Sequence, residues 1–221
     1  MQHVARPGRT SVAALAALAG VTAAAWVALI GRGEGMEMDP VPFVGAWTLM
    51  MTAMMLPSIA PLVLLVRGSR RAPAGVLVAG YLAVWAATGL AAFAVVRATD
   101  VESVPSWAVA TVLAAAGIYQ LTPLKRACLG RCRSPLDLLV RLWRPGWRGA
   151  LRVGVAHGAY CVGCCWALMA VLVGVGAMGL EWAAAISLAV VVEKTLPRGE
   201  TVAAALGLVL IVSAAVVAAA G

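Results

Sequence analysis

A chain of 221 residues with 63% hydrophobic and only 12% charged side chains lies well below the roughly one-quarter charged fraction of soluble domains. Several of its apolar runs approach the ~20 residues that cross a bilayer; a soluble core could not absorb them, which excludes a soluble globular domain and implies an all-α, polytopic transmembrane bundle. The net charge of +8 does not point to nucleic acid, because the basic residues fall where membrane topology needs them.

Apolar runs predict seven spans near 11–31, 43–66, 74–96, 105–121, 153–176, 180–194 and 202–220, in one integral membrane domain covering 1–221 with a basic cytoplasmic loop at 122–152. Arg6 and Arg9 precede the first span, and Arg67, Arg70 and Arg71 follow the second. Lys125, Arg126, Arg131, Arg133, Arg141, Arg144, Arg148 and Arg152 lie between the fourth and fifth, and Lys194 and Arg198 follow the sixth. The alternate loops carry Glu34, Glu37, Asp39, Asp100, Glu102 and Glu181 against only Arg32 and Arg97. The positive-inside rule then places the N-terminus in the cytoplasm and the C-terminus outside. The first span is longer than a signal-peptide core, and Leu29-Ile30-Gly31 is not a small-residue cleavage site, so it is read as a retained span.

Taken in order, the first span has no ionisable side chain and reads as a packing helix. The acidic loop after it holds Met36 and Met38, a weak signal for paired thioethers. In the second span Met50 and Met54 are i, i+4, as are Met51 and Met55, so two thioether rows run along one side. Methionine also fills irregular gaps between helices, but four in six residues favour a sulfur-lined surface. Pro57 and Pro61 predict a kink just past that patch, of the kind that shapes a cavity in a membrane helix. The third span carries Gly80 and Gly89, small residues that permit close packing. The fourth begins at Pro105, with Trp107 as an interfacial anchor.

Cys128 and Cys132 follow the fourth span amid basic residues, which favour the thiolate form that binds metal; two incidental reduced thiols are the competing reading. Leu138, Leu139, Leu142 and Trp143 oppose arginines and predict a short amphipathic helix on the inner leaflet. The fifth span holds the sharpest signal, VAHGAYCVGCCWALM at 155–169. On a helix His157, Cys161 and Cys165 are spaced i, i+4, i+8, with Cys164 and Met169 on the same stripe. Imidazole, thiolate and thioether on one face suit Cu(I) or Zn(II) better than Mg(II) or Ca(II), and an intramembrane histidine is a functional candidate in its own right. The sixth span ends in Glu193-Lys194, which reads as an interfacial snorkelling pair. The seventh looks structural.

The succession WTLMMTAMMLPSIAP, YQLTPLKRACLGRCRSP, GAYCVGCCWALM, GAMGLEW and VVEKTLPRG resembles a bacterial family of unknown function described as predicted metal-binding integral membrane proteins. The resemblance runs over about 47–199. It implies a multi-pass protein of the bacterial inner membrane and gives Met50, Met51, Met54, Met55, Cys128, Cys132, Cys161, Cys164, Cys165 and Glu193 the standing of motif positions. It implies no substrate or mechanism.

At a rise of 1.5 Å per residue, Met54, Met55, Cys164 and Cys165 come to one level near the midplane, with Met36 and Met38 outside them and His157, Cys128 and Cys132 on the cytoplasmic side. Thioethers outward and thiolates inward form a ladder for a soft cation. The metal-ligand set is therefore Cys161, Cys164, Cys165, His157, Met50, Met51, Met54, Met55, Cys128, Cys132 and Met169. Cu(I) leads and zinc stands second, because Zn(II) sites rarely use thioethers. The function expected is copper handling or transport in the bilayer, with a copper chaperone or metalloprotein as partner and no nucleic acid. No phosphate-binding loop is visible, which argues against an ATP-driven pump in this chain alone. Two alternatives stand beside it: a membrane thiol–disulfide or electron-transfer protein using Cys161/Cys164, and a non-catalytic assembly subunit.

Overall fold

The computed structural model describes residues 9–32, 39–67, 74–99, 104–174 and 179–221. Met36 and Met38, together with Arg6, Glu34, Glu37, Arg70, Arg71, Asp100, Glu102 and the start of the GAMGLEW block, lie outside the described residues. Those described are helical almost throughout, in the order α1 (Arg9–Arg32), α2 (Pro40–Met55), a 3-10 turn (Leu56–Ile59), α3 (Ala60–Arg67), α4 (Ala74–Ala98), α5 (Ser106–Gln120), α6 (Pro123–Arg133), α7 (Pro135–Leu142), α8 (Trp147–Gly174), α9 (Leu180–Thr195) and α10 (Gly199–Ala220). No strand occurs among them.

Among the described residues, five stretches are long and apolar enough to cross a membrane: Ser11–Arg32, Pro40–Val66, Ala74–Ala98, Trp147–Gly174 and Gly199–Ala220. The pair α5 and α6 makes a sixth if taken together, although the two are bent by 62°. At 16 residues α9 falls short of the same length. The expected loop 122–152 contains two helices and the start of α8. Of these, α7 is the expected amphipathic segment: Leu138 is buried, whereas Asp137 and Arg141 are exposed and pair with each other at 2.8 Å.

Packing follows the small residues. A Cβ at Gly154 would come within 2.1 Å of the Leu77 carbonyl oxygen, and one at Gly80 within 2.8 Å of the Leu151 carbonyl oxygen, so α4 and α8 meet backbone to backbone. Such close approach supplies dispersion contact along the seam. Gly117 and Gly207 do the same for α5 and α10. The indole of Trp47 fits over Gly89, its Nε1 donating to the Trp85 carbonyl and to Thr88 Oγ1 at 3.1 Å each. The Pro40–Val66 and Trp147–Gly174 stretches are the most enclosed of the five, and they carry the methionine rows and the central cysteines.

The break after the methionine patch occurs where Pro57 and Pro61 remove amide donors: α2 gives way to a 3-10 turn and then α3. The carbonyls at the end of the α-helical ladder are taken up by hydroxyl groups. Tyr81 donates to Met55 O at 3.0 Å, Ser58 to the same oxygen at 2.7 Å, and Ser187 to Met54 O at 3.3 Å. The turn is thereby anchored to α4 and α9 beside the cysteine helix.

Candidate metal centre

An α-helix returns to the same face every three to four residues, and on α8 His157, Cys161, Cys164, Cys165, Leu168 and Met169 are all buried. Close approach of α4 at Gly154 and Gly158 brings Tyr81 over this stripe, its hydroxyl 3.1 Å from Cys161 Sγ. One side of the site is therefore fixed by glycine packing.

A second side comes from α6. The chain leaves α5 at Gln120, and Thr122 caps the next helix by accepting from the Lys125 amide at 3.2 Å, with Pro123 in its first turn. Both are helix-start residues, and the new axis turns α6 across α8. Cys132, near the end of α6, then lies 3.8 Å from Cys164 Sγ. The sulfurs of Cys132, Cys161 and Cys164 all fall within 4.8 Å of one another, and all three residues are buried.

The third side is α9. Glu193 is 1% exposed and pairs with Lys125 Nζ at 2.7 Å, while its other oxygen accepts from Gln120 Nε2 at 3.0 Å. Arg133 reaches the Leu196 and Pro197 carbonyls. These contacts clasp α6 to α9 at both ends of α6. Lys194 turns the other way and places Nζ 2.9 Å from Cys161 Sγ. Thus one ammonium group, one phenol and three buried sulfurs converge on one point.

The donor set fits a soft cation. Metal–sulfur bonds of about 2.3 Å in a trigonal arrangement put sulfurs roughly 4.0 Å apart, close to the observed 3.8 Å between Cys132 and Cys164. Thiolates select Cu(I), Zn(II) or iron–sulfur chemistry over hard ions. Three sulfurs are complete for trigonal Cu(I), whereas structural zinc sites are four-coordinate.

The remaining expected ligands are placed differently. Cys165 Sγ lies 2.9 Å from the Cys161 carbonyl, an i to i−4 contact along its own helix, outside the triangle. Cys128 is half-buried, its sulfur resting against Gly163, where a Cβ would sit 2.8 Å from it. His157 is buried with both ring nitrogens unpartnered. Met50, Met51, Met54 and Met55 are core residues of α2, and Met169 of α8. Cys128 and Cys132, expected on the cytoplasmic side of the α8 cysteines, instead lie beside them. The bend after Gln120 lifts α6 so that Cys132 meets Cys164 and Cys128 meets Gly163, and Tyr81 ties the Met55 carbonyl to Cys161 at the same level.

Sequence reasoning passed over Tyr81, Ser58 and Lys194. The signal for Lys194 was present, since Glu193 and Lys194 are neighbours on a helix and so point about 100° apart. They do not pair with each other: each has a separate buried partner.

A family model described as PpoB2, copper chaperone, matches residues 44–217 and so covers every residue of this centre. Neither the curated proteins nor the solved structures yield a match.

Proposed function

The chain belongs to the PpoB2 copper chaperone family, and from that premise we propose that it is an integral membrane protein that holds Cu(I) at Cys132, Cys161 and Cys164 and hands it to a metalloprotein partner. The observation that carries this reading is the sulfur triangle itself, three buried thiol groups within 4.8 Å from two helices far apart in sequence. Two of them, Cys161 and Cys164, would suffice for a C-x-x-C dithiol. The third, brought in on α6, favours a metal over a disulfide.

The chain is taken as one domain in the bacterial inner membrane. With α2 and α3 as one crossing and α5 and α9 as short ones, the count is seven, the N-terminus cytoplasmic and the C-terminus outside, as the distribution of basic residues favours. Lys194 supplies charge compensation. Three thiolates and Cu(I) carry a net charge of −2, and one ammonium group at the sulfur lowers it to −1, which a low-dielectric interior tolerates better. The buried methionines of α2 are read as weaker thioether ligands available during loading.

Elemental analysis of the detergent-solubilised protein under reducing conditions tests the reading. About one copper per chain is expected, with loss of that copper when Cys132, Cys161 and Cys164 are all replaced by Ser. Full copper content in a folded triple variant sinks it.

A further inference from the structure

His157 is 1% exposed, and neither ring nitrogen has a hydrogen-bond partner. Its nearest aromatic neighbour, Tyr81, lies tilted with ring centroids 5.7 Å apart, and the hydroxyl of that ring is committed to Met55 and Cys161. A buried imidazole left without a partner loses the hydrogen bonds it would make in water, so the position calls for a ligand. The imidazole lines a cavity of about 220 Å³ whose wall also includes Ser58, Cys132, Arg133, Lys194 and Thr195.

Two properties of this cavity fix what it can take. Its volume corresponds to roughly seven waters at ~30 Å³ each and falls below the ~300 Å³ at which organic ligand pockets begin. That is room for a cation and a few small ligand atoms. Its wall also includes Cys132, one vertex of the sulfur triangle, and Lys194, which touches a second vertex. Thr195 and Pro57 in its wall are exposed, so the cavity opens to the protein surface beside the sulfur centre.

We propose that this cavity is a second, transient Cu(I) site, with His157 as the transfer ligand through which copper enters and leaves the sulfur triangle. The inference rests on the copper-holding reading of the triangle. Neutral imidazole nitrogen is a good but weaker Cu(I) donor than thiolate, which suits a waystation. On unloading, the bond from copper to Cys164 breaks as a bond to His157 nitrogen forms. Cys132, which belongs to both sites, stays bound during the exchange. The bond to Cys161 breaks next, leaving two-coordinate Cu(I) on Cys132 and His157 in the cavity. The metal remains Cu(I) throughout, and an incoming thiol or chelator then replaces Cys132 and His157 in turn. Loading runs the same exchanges in reverse.

The test is stopped-flow transfer of Cu(I) from the full-length, copper-loaded protein to excess bathocuproine disulfonate, with copper content measured alongside. His157→Ala is expected to retain wild-type copper content while transfer slows at least tenfold. Added imidazole should restore much of the rate, an effect a merely structural histidine would not show, and His157→Met should recover part of it through a thioether. An unchanged rate in His157→Ala overturns the proposal. So does loss of copper content in a folded His157→Ala protein, because His157 would then belong to the retaining site. Should His157→Ala fail to fold, His157→Gln takes its place with the same two readouts. Failure of the underlying reading shows separately, as copper content indifferent to the triple cysteine substitution.

Discussion

Lys194 places its ammonium group 2.9 Å from Cys161 Sγ, while Glu193, the residue before it, bonds to Lys125 at 2.7 Å on another face of the same helix. One turn of α9 thus serves two tasks, placing a positive charge at the sulfur centre and holding the helix that completes it.

The first task predicts the effect of Lys194→Met. Removing the ammonium group leaves the copper–thiolate complex with an uncompensated charge. Unit charges 4 Å apart at an effective dielectric of 20 interact by about 4 kcal/mol, and partial solvation lowers that figure. Cu(I) affinity should fall at least tenfold in competition with a calibrated chelator, and Lys194→Arg should keep most of it. Equal affinity in Lys194→Met would show that the charge is balanced elsewhere.

The five cysteines should separate into two classes. Cys132→Ser, Cys161→Ser and Cys164→Ser each remove a vertex of the triangle and should weaken copper binding by more than tenfold. Cys165→Ser should leave it within about threefold, since the serine hydroxyl can keep the bond to the Cys161 carbonyl. Cys128→Ser should behave like Cys165→Ser. Chelator competition on each single variant measures all five.

The second task predicts a coupling between stability and the metal. Breaking a buried ion pair from one side costs about 3–5 kcal/mol, whereas replacing both partners with apolar residues is often neutral. Glu193→Leu alone should lower the melting temperature sharply and weaken copper binding, because α6 and Cys132 are no longer clasped. Adding Lys125→Met should restore most of the thermal stability. A double variant as unstable as the single would show that the pair is not the main tie between α6 and α9.

The parts of the architecture visible in the sequence were those set by local pattern. Apolar runs located the helices, proline placed the break after the methionines, and i, i+4 spacing put His157, Cys161 and Cys165 on one buried face. How many of the helices cross was less legible, because α5 stops at Gln120 and α9 has 16 residues, lengths at which composition alone does not decide. The meeting of Cys132 with Cys164 depends on the 62° bend between α5 and α6. Thr122-Pro123 announces a helix start at that point but not the direction the new helix takes. Lys194 was misjudged for a similar reason: adjacency to Glu193 suggested a pair, whereas helix geometry directs the two side chains to different neighbours.

The bend that carries α6 across α8 also has a consequence for biosynthesis. Cys132 leaves the ribosome before Cys161 and Cys164, and the two groups on α9 that clasp and neutralise the centre, Glu193 and Lys194, come later still. At roughly 5–20 residues per second, α6 waits several seconds for its partners, its buried lysine without a counter-charge and its thiol without companions. The sulfur triangle is therefore complete only once α9 has been synthesised, and copper captured by the nascent chain before then would meet an unfinished site.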